Sequence, residues 1–67
     1  LSGRELLEMI SVLPDGYRTI FNMYVIEGFS HAEISQILNI SEGTSRSQLF
    51  KAKAYLKDFF EKMRITK

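Results

Sequence analysis

The sequence predicts an all-α fold, a small domain of four helices, and two observations support this class. Apolar residues recur at helical spacing along most of the 67-residue chain, and the apolar–polar alternation typical of strands is not sustained anywhere. Helix-ending residues divide this pattern at Pro14, Gly28 and Asn39. The predicted helices span residues 3–12, 15–27, 31–38 and 42–62, and the length allows a single domain, 1–67.

The first two predicted helices meet at a proline. Ser2 is the expected N-cap of the first helix, whose apolar stripe includes Leu6 and Ile10. Pro14 ends this helix because the residue before a proline avoids helical backbone angles, and proline suits the first turn of the next helix. Gly28 suits the left-handed position after the second helix. The stripe of the second helix that is expected to face the core comprises Tyr17, Ile20, Phe21, Tyr24 and Val25.

The last two predicted helices are a short one and a long one, separated by a tight turn. Ser30, followed three residues later by Glu33, forms the capping-box pattern, and Ser41 is the expected N-cap of the long helix. Asn39 is expected in the turn because Asn tolerates left-handed backbone angles. A short helix, a tight turn and a longer helix together predict a helix-turn-helix.

One face of the long helix is expected to pack on the other three helices. With about 100° per residue on a helical wheel, Lys51 and Asp58 fall on the opposite, solvent side. The expected core face comprises Ser45, Leu49, Ala52, Leu56, Phe60 and Met63.

Composition narrows the classes of function. The absence of cysteine and the single histidine, His31, exclude a zinc site of the usual Cys/His kind, and no apolar run approaches the roughly 18 residues that span a membrane. The carboxylates are scattered, no glycine-rich phosphate loop occurs, and His31 has no catalytic partner at a recognisable spacing. We therefore expect no enzyme activity, no cofactor, no metal and no membrane partner.

Charge is distributed unevenly along the chain. Residues 1–30 carry two basic and four acidic residues, a net −2, whereas residues 31–67 carry seven basic and four acidic residues, a net +3. This basic excess in and after the long helix is what a nucleic-acid contact requires. Lysines that solvate a C-terminal helix and favour its negative end would give the same asymmetry, so charge alone leaves both interpretations open.

Side chains at the start of the long helix are candidates for reading DNA bases. In a helix-turn-helix the second helix lies in the major groove with its N-terminal residues at base edges. Arg46 can pair with guanine O6 and N7, Glu42 can accept from a cytosine amine, and Phe50 can contact a thymine methyl. Phe50 would instead flank the core in a purely structural interpretation, and Lys51 also suits a phosphate. The expected base-reading residues are Glu42, Arg46, Ser47, Phe50 and Lys51.

A second set of residues is expected at DNA phosphates. The first turn of the third helix is expected to offer free backbone N–H groups at Ser30, His31 and Ala32, at the positive end of the helix. The expected phosphate-contacting residues are Ser30, His31, Ser41, Thr44 and Lys53. A solvated helix face is the alternative interpretation for Lys53 and Lys57.

An ordered set of short motifs runs through the chain. It begins with Leu13-Pro14, Glu27-Gly28-Phe29-Ser30 and Glu33-Ile34. It continues with Ile40-Ser41-Glu42-Gly43-Thr44, Arg46-Ser47, Leu49 and Lys51-Ala52-Lys53. In this order the motifs resemble region 4 of bacterial RNA polymerase sigma factors, particularly the extracytoplasmic-function group, over residues 6–60.

The resemblance implies a function, partners and a location. A domain of this kind docks on double-stranded promoter DNA at the −35 element and holds the flap of the RNA polymerase β subunit during transcription initiation. An anti-sigma factor is expected to mask the same surfaces. The chain is expected to be a C-terminal fragment of a longer, cytoplasmic bacterial sigma factor. A response-regulator-type helix-turn-helix output domain and a helical protein-interaction module without DNA binding remain open as alternatives.

Four positions depart from the family pattern. Ser45 stands where a buried Val is usual, so its lone hydroxyl is expected to weaken packing or to bond back to a carbonyl one turn earlier. Ser35 replaces the usual Ala, Asn39 the usual Gly and Gln48 the usual basic residue. We expect these departures to alter affinity and base preference rather than the fold.

Overall fold

Four α-helices and one π-helical segment build the domain. The structure, a computed structural model, describes the backbone of residues 3–65 and the side chains of residues 3–62. The helices are α1 (Gly3–Ser11), α2 (Asp15–Phe21), α3 (His31–Leu38) and α4 (Glu42–Ile65), and the π-helical segment Asn22–Ile26 continues α2. No strand occurs within residues 3–65, so the predicted all-α, four-helix class is confirmed.

Most predicted helix ends agree with the structure. The third helix has the predicted bounds, α1 ends at Ser11 rather than at residue 12, and α4 continues to Ile65, beyond the predicted residue 62. The expected N-cap Ser2 and the expected core side chain of Met63 lie outside the described residues.

The end of the second helix differs from the prediction of a regular α-helix to residue 27. From Asn22 the helix widens, and Glu27 N–H donates to the Asn22 carbonyl, five residues earlier, at 2.9 Å. Gly28 then takes the expected left-handed conformation, with φ of 82°. Phe29 N–H donates back to the Met23 carbonyl at 2.9 Å, which folds the chain against the helix end.

This reversal changes which side chains of the second helix are buried. Ile20 and Phe21 are buried as expected, but Tyr24 and Val25, also expected in the core, are 38% and 47% exposed. Met23 is buried instead. The prediction assumed a single apolar stripe facing one neighbour, whereas the chain folds back at Phe29 and α3 also packs on the π-helical segment.

The hydrophobic core forms along α4, which packs on α2 and α3 and touches α1. Of the core face predicted for α4, Phe60 is an error because it is 39% exposed, while its neighbour Phe59 is half-buried. With 24 residues α4 is about 36 Å long, and its Phe60 lines an open groove with Met9 of α1 instead of entering the core. The buried hydrophobic residues are Ile10, Leu13, Ile20, Phe21, Met23, Ile34, Leu49, Ala52 and Leu56.

The turn between α3 and α4 is built as the sequence predicted. Ser30 Oγ accepts from Glu33 N–H at 3.1 Å and Ser30 N–H donates to Glu33 Oε1 at 2.8 Å, a complete capping box. Asn39 is left-handed, with φ of 57°, and the next N–H returns to the Ser35 carbonyl at 3.0 Å. Ser41 Oγ accepts from Thr44 N–H at 2.9 Å and caps α4. The helix-turn-helix is therefore present.

Candidate nucleic-acid interface

The outer face of the first turns of α4 carries all the predicted base-reading side chains. Residues 42–51 are termed the reading half of α4 below. Their predicted base-reading members, Glu42, Arg46, Ser47, Phe50 and Lys51, are all exposed. Phe50 is 74% exposed, which rules out the interpretation that it merely flanks the core.

Two of these side chains contact each other. Arg46 Nη1 lies 3.6 Å from Glu42 Oε1, one helical turn earlier, and both side chains are largely exposed. An exposed pair at this spacing stabilises a helix by only about 0.3–0.5 kcal/mol. The ion pair therefore orients the guanidinium along the outer face while leaving it free to move to a stronger acceptor.

The first turn of α3 offers fewer free N–H groups than the sequence predicted. Ser30 N–H is occupied by the Glu33 carboxylate, so the expectation of a free donor at Ser30 is wrong. The reason is the capping box itself, because its glutamate satisfies the N–H that a phosphate would otherwise take. His31 and Ala32 remain as the backbone donors of the predicted set in this turn.

Of the two outcomes expected for Ser45, the bond back to a carbonyl one turn earlier is wrong. Its side chain is fully buried, yet its hydroxyl does not bond back within α4. Instead Ser45 Oγ lies 2.8 Å from Nδ1 of His31, at the start of α3. The lone hydroxyl at the usual Val position is therefore satisfied across the helix-turn-helix, and no described buried side-chain polar atom lacks a partner.

The imidazole of His31 is fixed on a second side as well. Its ring stacks on Tyr24, with ring centroids 4.4 Å apart and an interplanar angle of 21°. Sequence reasoning placed His31 at a phosphate and Tyr24 in the core, and it missed this contact. Six residues and a chain reversal lie between the two rings, so no local pattern predicts the contact. With Nδ1 bonded to Ser45, Nε2 is the ring atom left to face a ligand.

The other predicted phosphate residues fall in two places. Ser41 and Thr44 lie together at the N-terminus of α4, where Ser41 Oγ donates to Thr44 Oγ1 at 2.8 Å. Lys53 lies elsewhere, at a groove of about 480 Å³ between α1 and α4 that it lines with Met9 and Phe60. The structure thus places Thr44 within the reading half and Ser41 directly before it, and does not bring Lys53 there.

Two kinds of feature are absent from the described residues, a metal-binding cluster and a membrane-spanning helix. No group of three or more His, Asp or Glu side chains that can hold a metal ion occurs among them. No helix within the described range is long and apolar enough to cross a membrane.

Comparison with known proteins gives the family. The family model described as "Sigma-70, region 4" matches residues 3–56, which include α3, the turn and the reading half. The chain is 38% identical over 53 residues to the ECF RNA polymerase sigma factor SigM of Bacillus subtilis (strain 168). That alignment covers 79% of this chain but only 32% of the relative's length. No solved structure matches the chain. The chain belongs to the sigma-70 region 4 family, with similarity to the ECF sigma factors.

Proposed function

We propose that this chain binds double-stranded promoter DNA at the −35 element, as the region 4 module of a longer ECF sigma factor in the bacterial cytoplasm. The observation that carries the proposal is the reading half of α4. Five side chains able to contact bases are exposed there together, on the second helix of a helix-turn-helix.

The side chains of the reading half are chemically diverse. Arg46 supplies the paired donors that match guanine O6 and N7, and Glu42 supplies an acceptor for a cytosine amine. Phe50 presents an apolar ring with few contacts of its own, as expected for a side chain that meets a thymine methyl. Entry into the groove breaks the 3.6 Å ion pair of Arg46 with Glu42, and this costs little because the pair is exposed.

Phosphate contacts position the module beside the bases. The N–H groups of His31 and Ala32 and the Nε2 atom of His31 lie at the positive end of α3. Lys51 adds a charge on the exposed side of α4. Ser41 and Thr44 add hydroxyls at the start of α4. The Glu33 carboxylate in the capping box limits how strongly the α3 terminus attracts an anion.

The sigma-factor family also implies a partnership with RNA polymerase. The groove between α1 and α4 supports docking of the polymerase β flap, because Met9, Leu56 and Phe60 supply apolar contact and Lys53 and Lys57 supply charge. An anti-sigma factor would compete for such a surface. On α4 the groove is lined by residues 53–60, outside the reading half, so one module can contact DNA and polymerase together.

Substitutions on α4 separate base recognition from general DNA affinity. A randomised duplex pool first defines the sequence that the chain selects, and equilibrium titrations then compare that duplex with a random one. Arg46→Ala is expected to reduce the preference by about tenfold, the value of a bidentate base contact. Lys51→Ala is expected to weaken both duplexes about equally.

Lys62→Ala is the matched control for charge. Lys62 is also on α4 and pairs with Asp58 at 3.3 Å, far from the reading half, so its removal should leave both affinities near those of the unaltered chain. Absence of binding to any duplex at low salt would contradict the proposal and favour a protein-interaction module without a DNA role. An unchanged preference in Arg46→Ala would show that the reading face is wrongly assigned.

A further inference from the structure

We propose that Tyr24, His31 and Ser45 are positioning residues that set the orientation of α4 relative to α3, and so align base-reading groups with phosphate-contacting groups. The consequence for DNA rests on the proposed function, whereas the orientation is a property of the free chain. The three side chains form one continuous contact, termed the Tyr–His–Ser link below.

The link crosses the helix-turn-helix between the first turn of α3 and the first turn of α4. Ser45 Oγ is 2.8 Å from His31 Nδ1, and the hydroxyl is fully enclosed by protein. Either tautomer of the imidazole satisfies the bond, because a serine hydroxyl both donates and accepts. A buried hydrogen bond fixes a distance and a direction, whereas apolar packing in the same place tolerates sliding.

The imidazole is held from the other side by Tyr24. The near-parallel rings, 4.4 Å between centroids, connect His31 to the π-helical segment that ends the second helix. Tyr24 lies within this π-helical segment, and its side chain is partly exposed rather than buried in the core. The link therefore joins three elements: the π-helical segment, the first residue of α3 and the first turn of α4.

The position of the link suits this role. Ser45 directly precedes Arg46, and it lies within one turn of Glu42 on the same rigid helix. His31 is the first residue of α3, the helix whose N-terminus faces the phosphates in the proposed complex. A shift of α4 by about 1 Å would move base contacts out of the 2.7–3.2 Å window of a hydrogen bond. The Tyr–His–Ser link opposes such a shift at the point nearest both sets of contacts.

Residual dipolar couplings measure the helix orientation directly in the free chain. Ser45→Ala removes the hydrogen bond, and His31→Phe removes it from the other partner while keeping a ring against Tyr24. In both variants the couplings should show that the angle between α3 and α4 differs from the angle in the unaltered chain. Ser35→Ala is the matched control, because Ser35 Oγ donates only to the Ala32 carbonyl within α3, at 2.7 Å. Its couplings should fit the original angle.

The same variants are then titrated with the selected and the random duplex. We expect Ser45→Ala and His31→Phe to lose about tenfold in preference for the selected duplex, with the affinity of Ser45→Ala for the random duplex unchanged within about twofold. A merely stabilising link would lower the midpoint of thermal unfolding in each variant without changing the preference of the folded fraction.

The possible outcomes separate the two proposals. If the unaltered chain prefers no duplex, the proposed function fails, and the couplings alone still decide the role of the link. If the unaltered chain has a preference and both variants keep it together with the original helix angle, the inference is overturned. Unfolding of both variants would also overturn it, since the link would then be needed for stability rather than for alignment.

Discussion

Single residues decide how the helix-turn-helix is held together. A serine at a buried position of α4 is tolerated because a histidine on α3 supplies its hydrogen-bond partner at 2.8 Å. Neither residue alone predicts this hydrogen bond. In the sequence the serine resembles a packing defect, and the histidine resembles a surface residue at the start of a helix. The pair satisfies the buried serine hydroxyl, whereas the Val usual in the family places no polar side-chain group there.

Asn39 gives a prediction for stability at this scale. Its left-handed backbone, with φ of 57°, costs a residue with a Cβ atom about 1 kcal/mol, and Asn offsets part of that cost through its short polar side chain. Asn39→Ala should lower the free energy of unfolding by up to about 1 kcal/mol in urea titrations. Asn39→Gly, the matched variant, should leave it unchanged or raise it. A destabilising glycine would show that the Asn side chain matters more than the backbone.

The capping box gives a second prediction. Ser30→Ala removes the acceptor of Glu33 N–H, now at 3.1 Å, and should lower the free energy of unfolding by about 1 kcal/mol. Ser11→Ala serves as the control, because its hydroxyl donates to the Glu8 carbonyl within α1 and caps no helix start. Equal effects of the two substitutions, measured by chemical denaturation, would contradict a special role for the capping box.

The helices differ in how much of their bounds and burial could be predicted from the sequence. The α3 bounds, the capping box and the left-handed Asn39 depend on neighbours in the chain, so local patterns predicted them. The widening at Asn22–Ile26 was not predictable, because the turn after it folds Phe29 back onto Met23 and α3 packs on the same segment. The exposure of Phe60 likewise depends on tertiary structure, namely the groove that remains open between α1 and α4. The exposed base-reading set followed from the helical period, whereas the His31–Ser45 bond required the fold.

Truncation to alanine should affect two neighbouring residues of α4 differently, one through stability and the other through DNA binding. Leu49 is buried in the core and Phe50 is 74% exposed, although they are adjacent in the chain. Leu49→Ala should destabilise the fold by about 2–5 kcal/mol. Phe50→Ala should change the free energy of unfolding by less than about 0.5 kcal/mol and should still weaken binding to the selected duplex. Denaturation and titration of both variants check this, and a large stability loss in Phe50→Ala would place the ring in the core.

At the scale of the whole molecule, charge separates the two halves of the chain. Residues 31–67 carry a net +3 and residues 1–30 a net −2, so the proposed DNA contacts lie on the basic part. Binding should weaken linearly as the logarithm of salt concentration rises, and Lys51→Ala should reduce that slope by about 1. Arg4→Ala, an exposed basic residue on α1, should leave the slope unchanged. An equal effect of the two would place the phosphate contacts away from α4.

The central claim, that α3 and the reading half of α4 form the DNA-binding surface, is tested most directly by NMR. Amide chemical shifts of the isotope-labelled chain are followed as the selected duplex is added. The account predicts that the largest changes map to residues 30–32 and 41–51, with small changes at Met9 and Leu56 beside the α1–α4 groove. Largest changes at that groove, or changes spread evenly over the chain, would contradict it.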